Sequence, residues 1–235
     1  MQVVILAGGK GTRIQSIARD IPKALIPVSG RPFIEHQFEL LLRSDIRDIL
    51  LCIGHLGDQI AAHVGDGAKW GMKVQYAFED PKALMGTGGA LLNGFEMLED
   101  KFFVLYGDSY LPIDYRGMLN AFERAGTPAM MSVYRNLGQY DTSNVRVKGD
   151  RVVLYSKSAK PEEVDYIDYG LTAYKKSLIA EYKSAPIPLD LEKILRDQVA
   201  KGCLSAYEVK ERFYEIGKPS GLAELEDYLK THHAS

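Results

Sequence analysis

The chain has 235 residues, 46% hydrophobic and 26% charged, with a formal net charge of −2. That composition is ordinary for a globular protein that buries a substantial core, in one large domain or two small ones. The charge leaves no global basic footprint for nucleic acid, so any polyanion site must be local. No apolar run approaches the ~20 residues that span a bilayer, and the N-terminus lacks the charged start and long apolar stretch of a signal peptide. A cytoplasmic protein without membrane association is the expectation. Cys52 and Cys203 are far apart and no CxxC occurs, which fits buried free thiols in a reducing compartment.

Val3–Leu6 reads as a buried strand and runs into Leu6-Ala7-Gly8-Gly9-Lys10-Gly11-Thr12-Arg13. After Ser29-Gly30-Arg31-Pro32 a helix is expected, with Phe33, Ile34, Gln37, Phe38, Leu41 and Leu42 at helical spacing. Asp48–Ile53 is a continuous apolar run suited to a strand covered on both faces. A short helix over Asp58–Val64 and an alternating strand over Met72–Phe78 follow. Gly86-Thr87-Gly88-Gly89-Ala90 opens a helix running to about Leu98. Phe102–Tyr106 is the next strand and ends at Gly107-Asp108. Asp114 caps a helix to Arg124, and Ala129–Tyr134 is a further strand.

The second half changes character. Val145–Val147 and Val152–Tyr155 flank Gly149-Asp150, a hairpin signal. Tyr166–Tyr174 is a strand candidate, followed by helices at Lys176–Tyr182 and Leu189–Ala200. Short strands at Ser205–Val209 and Arg212–Ile216 precede a closing helix over Pro219–Lys230. Alternating strands and helices with short connections imply an α/β fold, a mixed, mostly parallel central sheet with helices on both faces. No Gly-, Ser- or Pro-rich linker divides the chain, so a single domain over 1–235 is expected. Ligands of such sheets bind outside the carboxyl ends of the strands. The glycine-rich loop and Gly107-Asp108 both fall there, on one rim.

Glycines followed by Lys10, Arg13 and Lys23 make a natural anion nest for phosphate. A dinucleotide fingerprint fails because Gly9-Lys10-Gly11 is followed by Thr12-Arg13-Ile14, and the end of the second strand, Cys52-Ile53-Gly54-His55, lacks an acidic residue for a ribose. A P-loop fails because Gly9-Lys10 is followed by Gly11.

The loop together with Pro22-Lys23-Ala24-Leu25-Ile26-Pro27-Val28 resembles the sugar-1-phosphate nucleotidyltransferase family, and the resemblance runs on to Gly217-Lys218-Pro219. It implies a Rossmann-like three-layer domain, with residues 1–135 as the nucleotide-binding part and 136–235 as the sugar-binding and closing part. It implies an enzyme that joins an NTP to a sugar 1-phosphate and releases pyrophosphate, with Mg²⁺ as cofactor. Leu6, Ala7, Gly8, Gly9, Gly11 and Thr12, with Gly86, Thr87 and Gly88, would wrap the nucleotide, the helix N-terminus after Gly86 adding positive potential. Arg13 would clamp the triphosphate and Lys23 the α-phosphate or sugar phosphate. Asp108 would hold the metal, and Glu215 would be its second carboxylate, standing where the family usually has Asp. Lys157 would grip the sugar phosphate, with Lys160 as rival, and Asp168 and Gly170 would face the sugar.

The Met85–Gly89 segment looks most like members acting on manno-configured sugars, including heptose 1-phosphate guanylyltransferases. That leans the expectation to GTP with heptose or mannose 1-phosphate. A uridylyltransferase of amino-sugar 1-phosphates, a transferase acting on a non-sugar phosphate such as phosphocholine, and a catalytically silent sugar-nucleotide-binding subunit stay open as alternatives. The resemblance is compatible with a homo-oligomer, although no long exposed apolar stripe in the sequence carries one.

Overall fold

The computed structural model describes residues 1–9 and 20–232; Gly11, Thr12 and Arg13 lie outside the described residues. The chain runs β1 (Gln2–Leu6), β2 (Pro27–Val28), β3 (Arg31–Pro32), α1 (Phe33–Arg43), β4 (Asp48–Ile53), α2 (Gly57–Val64), β5 (Lys73–Phe78), α3 (Gly86–Asn93), β6 (Lys101–Tyr106), β7 (Ser109–Tyr110), α4 (Tyr115–Ala125) and β8 (Ala129–Arg135). It continues through β9 (Val145–Lys148), β10 (Arg151–Tyr155), β11 (Tyr166–Lys175), α5 (Lys176–Ala180), α6 (Leu191–Ala200), β12 (Leu204–Val209), β13 (Tyr214–Glu215) and α7 (Pro219–His232).

β1, β4 to β6 and β8 to β12 form one nine-stranded sheet in the order β5-β4-β1-β6-β11-β8-β12-β10-β9. The pairs β5–β4, β4–β1, β1–β6 and β8–β12 are parallel. β11 and β10 alone oppose the other strands of this sheet, which makes it mixed and mostly parallel in direction. Alternation along each central strand feeds two apolar layers. Val3, Ile5, Ile49, Leu51, Phe103 and Leu105 pack against Ile34 and Phe38 of α1 and Met118 and Phe122 of α4. Val4, Leu50, Cys52, Phe102 and Val104 pack on the other face against Leu91 of α3, Leu178 of α5 and Ile194 of α6. Three layers result because a strand buried on both faces needs helices on both sides.

Two pairings position the rim. β1 and β6 lie side by side with Leu6 opposite Tyr106, so the glycine loop and Gly107-Asp108 leave the sheet together. β11 is antiparallel to β6 and pairs from Leu171 opposite Leu105. Its opening residues Tyr166–Gly170 therefore stand beyond the same carboxyl ends. A smaller apolar cluster, including Ile26, Val28, Phe33, Tyr110, Ile216 and Leu225, docks α7 under this rim. β7 and β13 pair across it, with Glu215 opposite Ser109.

The structure corrects several expected boundaries. The helix opened by Gly86 stops at Asn93, with a 3₁₀ turn at Phe95–Met97. The helix expected from Leu189 starts at Leu191, because Leu189 is engaged elsewhere: its N–H donates to Met85 O at 2.8 Å and its carbonyl accepts from Gly88 N and Gly89 N. The last short strand contracts to Tyr214–Glu215. Cys52 is buried but Cys203 is only half-buried, since it sits in the turn before β12. Both are free thiols, and burial pushes that of Cys52 up to about 12, which makes it inert. No helix among the described residues is long and apolar enough to cross a membrane.

Candidate active site

A cleft of about 260 Å³ opens at the carboxyl ends of β5, β4, β1 and β6. Leu6, Ala7, Gly8, Gly9, Lys23, Gly86, Thr87 and Asp108 all line it. The structure thus brings together residues drawn from four separate stretches of sequence. At one end Lys23 Nζ donates to Asp108 Oδ2 at 2.6 Å, both side chains about one-fifth exposed. The ammonium reaches the carboxylate because Pro22–Ile26 forms a 3₁₀ turn against α1, with Phe33 N donating to Ile26 O.

The rest of the lining is largely apolar, with Leu6, Cys52, Leu84 and Ala90, and carries two further carboxylates, Glu79 and Asp190. Glu79 follows β5 directly. It is 9% exposed and its Oε2 accepts from Met85 N at 3.0 Å. Its Oε1 lies 3.7 Å from where a Cβ on Gly8 would stand. Sequence reading passed over Glu79. Its signal was local: an acid immediately after a buried strand, seven residues before Gly86.

The segment at Gly86 is built by contact with residues 187–191. Gly86 has φ +81, and a Cβ there would meet Leu189 O at 2.5 Å, so only glycine fits. Thr87 Oγ1 accepts from Leu191 N at 2.8 Å, stitching α3 to α6. The positive potential expected from the start of α3 is not offered to a ligand there. Gly88 is buried, and its N–H and that of Gly89 are spent on Leu189 O at 2.8 and 3.0 Å. Asp190 joins the cleft lining through the same segment and was also missed, because only the tertiary contact brings it there.

On the β11 side, the strand bulges between Asp168 and Thr172, with Gly170 at φ +101. Ser132 Oγ fills the break by donating to Leu171 O at 2.6 Å and accepting from Leu171 N at 3.2 Å. The bulge turns Asp168 to the rim. Its carboxylate accepts from Gly170 N and from the Tyr155 hydroxyl, both at 3.0 Å, while its own N–H donates to Asn144. The residue keeps some exposed surface, yet its carboxyl is enclosed. Burial raises its pKa above the usual carboxylate range, opposed by the Gly170 and Tyr155 hydrogen bonds and by the Lys157 charge. Asp168, Asp108, Asp190 and Glu192 surround Tyr106, whose hydroxyl is pushed well up by burial and by those charges.

Lys157 is exposed at the mouth and pairs with Glu192 of α6 at 3.0 Å. Lys160 opens the 3₁₀ turn Pro161–Glu163, where its backbone N–H donates to Glu163. Glu215 is exposed on β13, and the next residue, Ile216, donates its N–H to Asp108 O at 2.9 Å. Gly217 lies beside the Asp108 carboxylate: a Cβ there would make an ordinary contact, 3.5 Å from Oδ2. Among the described residues no three His, Cys, Asp or Glu side chains form a ready-made metal cage.

A parallel-sheet rim that pairs an apolar, carboxylate-floored cleft with a lysine–aspartate end defines a nucleotide-handling α/β enzyme. The nucleotidyl transferase family model matches residues 2–231, and the chain belongs to that family. A D-glycero-alpha-D-manno-heptose 1-phosphate guanylyltransferase of Campylobacter jejuni is 27% identical over 93% of this chain and 96% of its own length. A UTP–glucose-1-phosphate uridylyltransferase of Synechocystis is 35% identical, over 48% of this chain and 32% of its own. The crystal structure of HddC from Yersinia pseudotuberculosis complexed with GMP-PN superposes with a TM-score of 0.78 at 26% identity, covering 97% of this chain and 99% of that one.

Proposed function

We propose that the protein is a guanylyltransferase, joining GTP to a manno-configured sugar 1-phosphate such as heptose or mannose 1-phosphate. The observation that carries the base is Glu79. Guanine presents two parallel donors, N1–H and the 2-amino group, and a carboxylate accepts both; uracil and thymine present one. Glu79 lines the cleft, and its Oε2 is already oriented by Met85 N. A buried carboxylate in a largely apolar lining suits a base with matching donors, since an unsatisfied buried carboxylate is costly and a matched one discriminates.

In the reaction a sugar-phosphate oxygen forms a bond to the α-phosphorus and the bond from that phosphorus to the β-phosphate oxygen breaks, releasing pyrophosphate. Both reactants are anions, so catalysis is positioning and charge neutralisation. Leu6–Gly9 and Gly86–Thr87 line the base and ribose end. Lys23 stands at the phosphate end, and its ammonium, now on Asp108, can turn to an incoming phosphate. Arg13 is assigned to the triphosphate by resemblance alone. Lys157, Asp168 and Gly170 are assigned to the sugar side by resemblance: Lys157 would exchange Glu192 for the sugar phosphate, while the enclosed Asp168 carboxyl, held by Gly170 N and the Tyr155 hydroxyl, would fix the shape of that wall.

The chemistry of Asp108, whose carboxylate already pairs with a cation, accords with a Mg²⁺ ion at this end. Asp108 and Glu215 would hold it, with phosphate oxygens completing the shell of a hard cation. When bound it would neutralise charge on the phosphates. Expression in the cytoplasm, where free NTP is available, accords with this chemistry.

The test is a matrix of NTPs against sugar 1-phosphates, read by pyrophosphate release. GTP with a manno-configured sugar phosphate is expected to give the highest kcat/KM. A preference for UTP or dTTP would overturn the base assignment, and no release from any pair would favour a silent binding subunit.

A further inference from the structure

Gln37 of α1 is a buried polar side chain that this chemistry does not use. Gln37 is 2% exposed, and its Nε2 donates to Tyr106 O at 3.0 Å and to Ser109 O at 2.8 Å. Oε1 has no partner among the described residues. Leaving a buried acceptor unpaired is costly. Here the amide gives up its acceptor so that both of its hydrogens reach a single turn.

That turn is Gly107-Asp108. Tyr106 ends β6 and Ser109 begins β7, so the two carbonyls held by Gln37 bracket the aspartate. The same helix holds the other half of the ion pair. Phe33 N donates to Ile26 O at 3.0 Å and His36 Nε2 lies 2.9 Å from Val28 O, fixing the segment that carries Lys23. α1 is thus a common bracket for Lys23 and Asp108.

We propose that Gln37 is a positioning residue, whose amide clamps the carbonyls on either side of Gly107-Asp108 and so sets the Asp108 carboxylate against Lys23 at the phosphate end of the cleft. The proposal rests on the transferase reading of that end. Misplacing a reacting or stabilising group by about 1 Å costs on the order of 100-fold in rate.

Gln37→Met keeps the chain length and helix propensity but removes both donors. Gln37→Asn keeps the amide and withdraws it by one methylene, as a second variant should the first not fold. Thermal melting establishes that each is folded. With the best substrate pair from the matrix, kcat is expected to fall roughly 10- to 100-fold, with KM for the NTP changing less than about threefold. Asp108→Asn combined with Gln37→Met is expected to be no slower than Asp108→Asn alone, because a group acting through Asp108 then has nothing to position. Mn²⁺ titrated into the enzyme with GTP and followed by electron paramagnetic resonance should bind about tenfold more weakly to Gln37→Met.

Multiplying losses in the double variant, or full turnover by a folded Gln37→Met protein, would overturn the proposal. If the wild type releases no pyrophosphate with any pair, the transferase reading falls by itself. The Mn²⁺ titration then still decides the clamp, and equal affinity in wild type and Gln37→Met would sink it.

Discussion

Lys23 Nζ and Asp108 Oδ2 meet at 2.6 Å although 85 positions separate them in sequence. The pair places a cation donor and a carboxylate acceptor in the wall of the cleft. On the function proposed above, a phosphate entering here would draw the ammonium and a divalent ion would take the carboxylate, each releasing the partner that the other needs.

Asp108→Asn should reduce turnover by at least ~100-fold, the scale for removing a group that stabilises developing charge. The fold should persist, since the pair is partly solvated and such pairs contribute little stability. Pyrophosphate release and a thermal melt check the two halves. Full turnover in saturating Mg²⁺ would remove Asp108 from the site.

Glu79→Gln should invert one of the two acceptors into a donor. With GTP, kcat/KM should drop roughly 10- to 100-fold, and the loss with UTP should be smaller. Competition between the two nucleotides in a single reaction reads the ratio directly. An unchanged ratio would place the base elsewhere.

Lys157→Ala should raise KM for the sugar phosphate about tenfold or more, on the scale of a lost charge-assisted hydrogen bond, and leave KM for the NTP nearly unchanged. Lys160→Ala should do neither, because Lys160 opens a surface turn while Lys157 faces Glu192. Steady-state kinetics on both variants separate them. A larger effect from Lys160 would exchange their roles.

Asp168 makes stability depend on pH with a definite sign. Its folded pKa is raised by burial, so the folded state holds a proton that the unfolded state has released. Stability should therefore fall as pH rises from about 4, the unfolded aspartate value, through the raised folded value. Asp168→Asn carries no such proton, so denaturant unfolding across that window should show a flatter profile than wild type. A wild-type profile that rises through the window would contradict the enclosed carboxyl.

Much of the rim was legible in local sequence. A strand buried on both faces is an unbroken apolar run, and Asp48–Ile53 reproduces its expected limits. The expected cap at Asp114 is present, its Oδ1 accepting from Gly117 N at 2.9 Å. Gly8, Gly9 and Asp108 announced themselves because they closely follow apolar strands, and Gly86 because it opens a glycine-rich helix. Leu189 did not follow its pattern. Its place in an apolar helical repeat was overridden by backbone hydrogen bonds to Met85, Gly88 and Gly89, a competition that no window of neighbouring residues contains.

What the sequence determined by itself is the class of fold and the glycine-rich turn after β1, because periodicity and glycine placement act over a few residues. The tertiary structure alone decided which polar groups meet at the rim: Glu79 and Asp190 in the cleft lining, Gln37 beneath Gly107-Asp108, and Tyr155 on Asp168. Apart from Asp168 they are ordinary residues in ordinary local patterns. They acquire their surroundings from strand order and register, since β1 beside β6 and β11 reversed against β6 bring their ends to one rim. Burial at that rim makes an unpaired polar atom costly, and the orphaned Oε1 of Gln37 is explained by its clamp.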